Sequence, residues 1–129
     1  MPKNKPAIGS ITWIDLTIPN AEEVKNFYIK VIGWKPEALS MGDYNDFVMK
    51  APKSGKAVAG VCHSRGSNSD LPPQWLMYIT VANISKSIAA CKKLGGKVLV
   101  KPKNLGSAGK YCVIQDTAGA VCALYESKK

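Results

Sequence analysis

The sequence predicts an α+β fold in which two βαβββ modules follow one another and form a curved mixed sheet around a cleft. Three observations support this prediction. A pattern of one strand, one helix and three short strands occurs twice, the two copies align with a shift of 63 positions, and the segment SRGSNSDLPP between them has the composition of a loop. We expect a single domain over residues 1–129, with module 1 at about 9–63, the loop at 64–73 and module 2 at about 74–126.

Module 1 begins with the segment ITWIDLTI, whose alternate residues Ile14, Leu16 and Ile18 form one apolar strand face. Asn20, with Glu23 three residues later, has the spacing of a capping box and predicts the start of a helix that ends at Gly33. The predicted apolar stripe of this helix is Val24, Phe27, Tyr28, Val31 and Ile32. The residues predicted to face water are Glu22, Lys25, Asn26 and Lys30. Short strands follow at 34–39, 44–50 and 57–63.

Module 2 repeats this order with different residues. Its first strand, 75–81, has an apolar face at Met77, Ile79 and Val81, and Asn83 is the predicted N-cap of the second helix. The apolar stripe of that helix is predicted at Ile84, Ile88, Cys91 and Leu94, and strands follow at 97–100, 109–115 and 120–125. The third strand has the least certain alignment, because Tyr44 and Tyr111 differ by 67 positions rather than 63.

Composition places the chain among ordinary globular proteins, since 46% of its residues are hydrophobic and 21% are charged. We expect a cytoplasmic protein, because no apolar run is long enough to span a bilayer and MPKNKPAIGS lacks the apolar core of a signal peptide. Its four cysteines lack the close paired spacings of zinc or redox motifs, and we interpret them as reduced core thiols.

The net charge of +9 raises the question of an acidic partner. Only Arg65 among the 18 basic residues is an arginine, and the lysines are scattered along the chain. Because nucleic-acid readers usually use the planar guanidinium group, this pattern favours a solvated surface over a nucleic-acid interface. A structural or regulatory protein whose basic surface meets an acidic partner remains an alternative.

The strand faces turned away from the helices are the predicted walls of the cleft. They carry apolar and aromatic side chains with a few polar groups, which is typical of small-molecule sites. The candidate ligand-binding residues are Trp13, Asp15, Tyr44, Cys62, Leu76, Tyr78 and Tyr125. Trp13 and Tyr78 offer flat stacking surfaces, and Asp15 offers a negative charge for a cationic group.

Several segments together resemble the vicinal oxygen chelate superfamily, which includes glyoxalase I, bleomycin-resistance proteins and extradiol dioxygenases. They are WIDLTIPNAEEVKNFYIKVIGW, DYNDFVM, AVAGVCH, WLMYITVANISKSIAACKKLGGKVL and GKYCVIQDTAGAVCALYES. The resemblance covers about residues 9–126, and its most specific parts are the two helix ends and the turn that begins at Asp116 and ends at Gly119.

The resemblance also implies where a catalytic metal would be held. Metal-dependent members carry His or Glu at four sites, which correspond here to Trp13, Gly60, Leu76 and Ala123. None of these residues is a metal ligand, so we expect no metal and no other cofactor. His63 has the wrong strand parity for the cleft face and is interpreted as an exposed or loop-facing histidine.

The leading hypothesis is therefore a metal-free protein that binds a small organic ligand, similar to the bleomycin-resistance branch. The alternative is a lyase or dioxygenase-like enzyme, either metal-free with Asp15 as general acid or base, or with atypical ligands such as Asp15, Cys62 and His63. The resemblance further implies a homodimer. We expect no membrane partner.

Overall fold

The computed structural model describes residues 6–128, so the predictions that concern residues 1–5 and Lys129 lie outside the described residues. The chain forms two compact units. We call residues 13–75 the first-repeat unit, and residues 6–12 with 76–128 the second-repeat unit. The first strand of each repeat begins one or two residues before the unit that contains the rest of it, and each such strand is described with that unit. In the described residues, neither helix has the length and apolarity needed to cross a membrane.

The first-repeat unit has the predicted βαβββ order. Its elements are β1 (Ile11–Ile18), α1 (Ala21–Ile32), β2 (Lys35–Ser40), β3 (Asn45–Lys50) and β4 (Ala57–His63). The strands lie in the order β2-β3-β4-β1, with β1 parallel to β4 and the other neighbours antiparallel. Parallel strands need a long crossover connection, and here α1 and the β2-β3 hairpin together provide it.

The second-repeat unit has the same order of elements. They are β5 (Trp75–Thr80), α2 (Ile84–Lys93), β6 (Lys97–Asn104), β7 (Gly109–Gln115) and β8 (Val121–Ser127), with strand order β5-β8-β7-β6. Strand β5 is parallel to β8, and the remaining pairs are antiparallel. The predicted α+β class with two tandem βαβββ modules is confirmed.

Strand pairing reproduces the internal repeat residue by residue. Asp15 pairs with Gly60 in the first-repeat unit, and Tyr78 pairs with Ala123 in the second, so both strands of the pair keep the shift of 63 positions. In the third strand the shift is 65, because Val48 pairs with Gly60 while Val113 pairs with Ala123. The counterpart of Tyr111 is therefore Asp46. The alignment of Tyr111 with Tyr44 is wrong because a loop before the strand changed length.

The core beneath α1 is aromatic and aliphatic. Its buried residues are Leu16, Ile18, Ala21, Phe47, Met49 and Val61, and its partly buried members are Val24, Tyr28, Ile29, Trp34 and Trp75. The predicted strand face is confirmed for Leu16 and Ile18, whereas Ile14, near the strand start, is exposed.

The predicted helix stripe on α1 is rotated from the observed one. Phe27, Val31 and Ile32 are exposed, whereas Ile29 packs into the core. Lys25, predicted to face water, lays its ammonium group 4.5 Å from the centre of the Phe47 ring. The aliphatic part of a lysine can cover apolar surface, so the helix can bury this side at little cost.

The core beneath α2 is smaller and aliphatic. It contains Ile84, Cys112 and Leu124, with Ile79, Val81, Ile88 and Ile114 packed against it. The predictions for Leu94 and Met77 are wrong, since 73% of Leu94 and 42% of Met77 are exposed. Leu94 lies after the last helical residue, where the chain has already left the helical path that the stripe assumes.

Candidate functional site

One face of the first-repeat sheet points away from α1 and carries most of the polar candidates. Phe47 and Val61 belong to the core beneath α1 and pair with each other across β3 and β4. Because successive side chains alternate between faces, Asp46 and Cys62 point to the opposite side. Trp13 and Asp15 share that side. We call the set Trp13, Asp15, Asp46, Gly60 and Cys62 the Asp15 face.

Asp15 is largely enclosed rather than open to solvent. Its exposed fraction is 9%, and that of Thr17, its neighbour on the same strand face, is 5%. Burying a carboxylate is costly unless it gains polar or charged contacts. Asp15 is therefore less accessible than the open cleft wall that the sequence predicted, and its place in a ligand site stays a prediction.

Gly60 lets Asp15 and Trp13 lie over strand β4. A Cβ atom added at Gly60 would stand 3.0 Å from Asp15 Cβ and 3.5 Å from Trp13 Nε1. Since real Cβ atoms rarely approach another atom this closely, any larger residue would displace the Asp15 side chain. The glycine is thus part of the geometry that positions the carboxylate and the indole together.

The Cys62 thiol lies between two negative charges. Burial, followed by the charges of Asp15 and Asp46 and a hydrogen bond with Asp46, raises the pKa of Cys62 well above its usual value. The group therefore stays protonated and acts as a hydrogen-bond donor rather than a nucleophile. All four cysteines are free, but the prediction of core positions holds only for Cys112, because the other three are half-buried.

Asp46 is a member of the Asp15 face that was not among the residues predicted from the sequence. Its Oδ1 accepts a hydrogen bond from the backbone N–H of His63 at 2.8 Å and lies 3.5 Å from His63 Nδ1. Only 9% of Asp46 is exposed. The available signal was its parity with Val48 in DYNDFVM, which becomes useful only once the pairing of β3 with β4 is known.

Tyr44 lies at the loop end of the first-repeat sheet. The Arg65 guanidinium is 4.0 Å from the centre of its ring, and the His63 ring meets it edge-on at 5.2 Å. Arg65 also approaches Asp43 at 4.0 Å. His63 therefore faces loop residues, in line with one of the two interpretations given for it, while its side chain is only 12% exposed.

The matching face of the second-repeat unit is built from tyrosines. Tyr78 and Tyr111 place their ring centres 5.9 Å apart, and the Tyr125 hydroxyl donates to the backbone oxygen of Ala108. Leu76 has no exposed surface, so its predicted contact with a ligand would require movement of the residues that cover it. Tyr111, which takes the place of Asp46, was not among the predicted site residues.

The family's metal positions do not fit a metal ion in this chain. Trp13, Gly60, Leu76 and Ala123 offer no side-chain oxygen, sulfur or imidazole, and the space beside Gly60 is filled by Asp15 and Trp13. Across residues 6–128, no three His, Cys, Asp or Glu side chains are arranged to hold an ion. Metal chemistry at the family site would need donors that these positions lack.

Comparison with known proteins identifies one family and curated relatives with two different names. The sequence profile of the Glyoxalase/Bleomycin resistance protein/Dioxygenase superfamily matches residues 10–124. CFP32 of Mycobacterium tuberculosis, which carries a provisional glyoxylase name, is 26% identical over 94% of this chain and 47% of its own length. The anthracycline biosynthesis protein DnrV of Streptomyces peucetius is 26% identical over 92% of this chain and 47% of its own length. The chain thus spans about half the length of these curated relatives.

Solved structures share the fold at low sequence identity. Methylmalonyl-CoA epimerase from Mycobacterium tuberculosis matches with a TM-score of 0.54 and 12% identity, over 92% of this chain and 87% of the other. A hypothetical protein from Bacillus halodurans matches with a TM-score of 0.59 and 14% identity, over 94% and 96% of the two chains. At this identity the similarity establishes the fold alone.

Proposed function

Because the chain belongs to the Glyoxalase/Bleomycin resistance protein/Dioxygenase superfamily, we propose that it binds a small organic ligand at the Asp15 face without a metal ion. The observation that carries the proposal is the arrangement at Gly60, where a buried carboxylate and an indole occupy the space of a family metal position. A negative charge beside an aromatic surface suits a ligand with a flat ring system and a cationic group.

The names of the curated relatives suggest which ligands to test first. Two relatives are named anthracycline biosynthesis proteins, so the panel includes an anthracycline that carries an amino sugar, together with its uncharged aglycone. The fold neighbours include methylmalonyl-CoA epimerase, so an acyl-coenzyme A thioester belongs in the same panel. The charged and uncharged anthracyclines separate the contribution of Asp15 from that of ring stacking.

The binding experiment uses two of the three tryptophans, Trp13 and Trp34, as matched reporters. Trp34 packs against Tyr28 and Trp75 in the core beneath α1, whereas Trp13 lies on the Asp15 face. Quenching by a ligand should be lost in Trp13→Phe and retained in Trp34→Phe. Asp15→Asn should weaken the amino-sugar ligand about tenfold or more while leaving the aglycone unchanged, because a charged contact is removed. Equal weakening of both ligands, or quenching that survives in Trp13→Phe, would contradict the proposal.

A second candidate function is proton transfer without a metal, with Asp15 as general acid or base. The burial of Asp15 favours it, because desolvation is the usual way to make a carboxylate basic enough for this task. The test is exchange of the acidic C–H of an acyl-coenzyme A thioester with deuterated solvent, followed by NMR. Exchange that disappears in Asp15→Asn and persists in Cys62→Ala would make the protein an enzyme.

Three further expectations from the sequence stay as proposals. We place the protein in the cytoplasm as a homodimer, and we treat residues 1–129 as one domain. The curated relatives are about twice as long as this chain, which supports pairing of two copies. Sedimentation equilibrium at twice the chain mass and a single unfolding transition would support the last two expectations. A monomer would contradict the homodimer, and two separate unfolding transitions would contradict the single domain.

A further inference from the structure

The positive charge of the protein is concentrated in one repeat. The first-repeat unit contains seven basic and seven acidic side chains, so its formal charge is zero. The described residues of the second-repeat unit contain eight lysines and only two acidic residues. A pattern that looks scattered along the sequence is therefore strongly uneven between the two units.

Both acidic residues of the second-repeat unit are already engaged by backbone groups. Asp116 Oδ1 accepts hydrogen bonds from the N–H groups of Ala118 and Ala120 at 2.8 and 3.0 Å. Glu126 Oε1 accepts the N–H of Ile84, the first residue of α2, at 2.8 Å. Both carboxylates are thus held by backbone groups rather than by lysines, and the unit keeps an excess of lysine charge that attracts anions.

A groove between α2 and β6 combines this charge with an apolar surface. It encloses about 360 Å³ and is lined by Ile88, Val98 and Pro102, with Lys92 and Lys101 completing the lining. Within the described residues, no ion pair involves either of these lysines. The groove therefore offers an apolar surface bordered by two ammonium groups.

The backbone of β6 argues against pairing with a strand from another protein. Strand β6 is the outer strand in the order β5-β8-β7-β6. Its register against β7 shifts twice, between Val98 and Val100 and again between Val100 and Lys103, and Pro102 lies within the second shift. Such irregular edges, with proline and lysines, resist the addition of another strand. A partner would have to use the side chains of the groove instead.

We propose that the α2–β6 groove binds a small amphipathic anion, meaning an organic carboxylate with an apolar chain or ring. The apolar body would cover Ile88 and Val98, and the carboxylate would lie between the ammonium groups of Lys92 and Lys101. This site is independent of the Asp15 face, whose charge and chemistry favour a cationic ligand.

The test is an NMR titration of the ¹⁵N-labelled full-length protein with octanoate as the probe. Octanol supplies the same chain without the charge, and sulfate supplies negative charge without the chain. Octanoate should shift the amide signals of Ile88, Lys92, Val98 and Lys101, while octanol and sulfate should bind at least fivefold more weakly. Raising the salt concentration should weaken octanoate, because exposed charges are screened over roughly 10 Å.

A pair of variants with equal charge removal completes the test. Lys92→Gln with Lys101→Gln should weaken octanoate about five- to tenfold, as expected for two partly exposed charge contacts. Lys53→Gln with Lys56→Gln removes two charges from the turn before β4 and should leave the affinity within twofold. Equal affinity in both double variants, shifts that map elsewhere, or tight binding of an oligonucleotide with octanoate inactive would overturn the proposal.

Discussion

The two repeats have the same strand order but different interiors and surfaces. Beneath α1, Tyr28, Trp34 and Trp75 form an aromatic cluster with ring centres 5.3 to 5.9 Å apart, and Trp75 Nε1 donates to the Tyr28 hydroxyl at 3.2 Å. Beneath α2, isoleucines and Leu124 take this role. The shared strand order therefore depends on where apolar residues recur along the strands, and much less on which apolar residues they are.

The two repeats also differ in how their charged side chains are used. The first-repeat unit balances its charges and holds contacts such as Lys50 with Glu37 and Lys25 with Glu22, whereas the second uses its two carboxylates on backbone N–H groups. Surface ion pairs contribute little to stability, so either solution supports the same fold. The fold therefore does not depend on how the charges are divided between the two units.

The largest expected difference concerns one pair of equivalent core residues, Met49 and Ile114. Met49 has no exposed surface, while Ile114 is half-buried. Met49→Ala should lower the free energy of unfolding by about 3 kcal/mol, because it leaves a cavity. Ile114→Ala should cost about 1–2 kcal/mol, since part of that side chain remains in water. Urea denaturation of both variants measures the difference, and equal losses would show that the two cores are equally enclosed.

The next difference concerns Gly33 and Gly96, which the sequence repeat aligns. A Cβ at Gly96 would stand 2.6 Å from Cys91 Sγ and 2.8 Å from the backbone oxygen of Gln115, whereas at Gly33 nothing lies within 4 Å. Gly96→Ala should therefore cost about 2 kcal/mol through overpacking. Gly33→Ala should cost about 1 kcal/mol, because its φ of 91° disfavours a side chain. A reversed order in thermal unfolding would contradict the geometry at Gly96.

At alkaline pH, the buried thiol of Cys112 in the second repeat should make the stability of the fold depend on pH. Burial raises the pKa of Cys112 from 9.0 to about 11. The folded thiol keeps its proton while the unfolded thiol loses it, so this stability is present below pH 9 and falls as the pH rises toward 11. The expected slope is about 1.4 kcal/mol per pH unit for this group. Denaturation at several pH values should show a smaller slope in Cys112→Ala, and an unchanged slope would exclude the thiol as its cause.

The smallest expected difference lies at the helix starts. Asn83 Oδ1 accepts the N–H of Lys86 at 2.9 Å, whereas the Asn20 amide donates to Glu23 Oε1 at 3.1 Å. Asn83→Ala should cost about 1 kcal/mol as a lost N-cap, and Asn20→Ala only a few tenths. Asn83→Ser, which can still cap the helix, serves as the control. Similar costs for both alanine variants would mean that Asn20 also caps α1 in solution.

The outcome at these two helix starts shows how far local sequence patterns reach. The capping residue was correctly predicted for α2, but the capping box at Asn20 was wrong in its bonding, because two side chains can satisfy each other without meeting the backbone. The apolar stripe predicted for α1 was partly wrong for a related reason. Periodicity gives the set of apolar positions, while the side that packs depends on the sheet beneath the helix.

The candidate site was predictable only in part. Strand alternation correctly placed Asp15 and Cys62 on the side away from α1, and that parity required no tertiary information. Asp46 was missed because its place beside Cys62 depends on the pairing of β3 with β4. The groove between α2 and β6 was also beyond the sequence analysis, since residues 88 and 101 meet only when the helix packs on its sheet.

The sequence by itself determined the order of elements and the repeat, because both follow from local spacing and residue type. Tertiary structure decided the shift of 65 in the third strand, the enclosure of Asp15 beside Gly60 and the groove in which residues 88 and 101 meet. These features depend on which distant residues become neighbours, and chain folding brings them together through burial rather than through any local pattern.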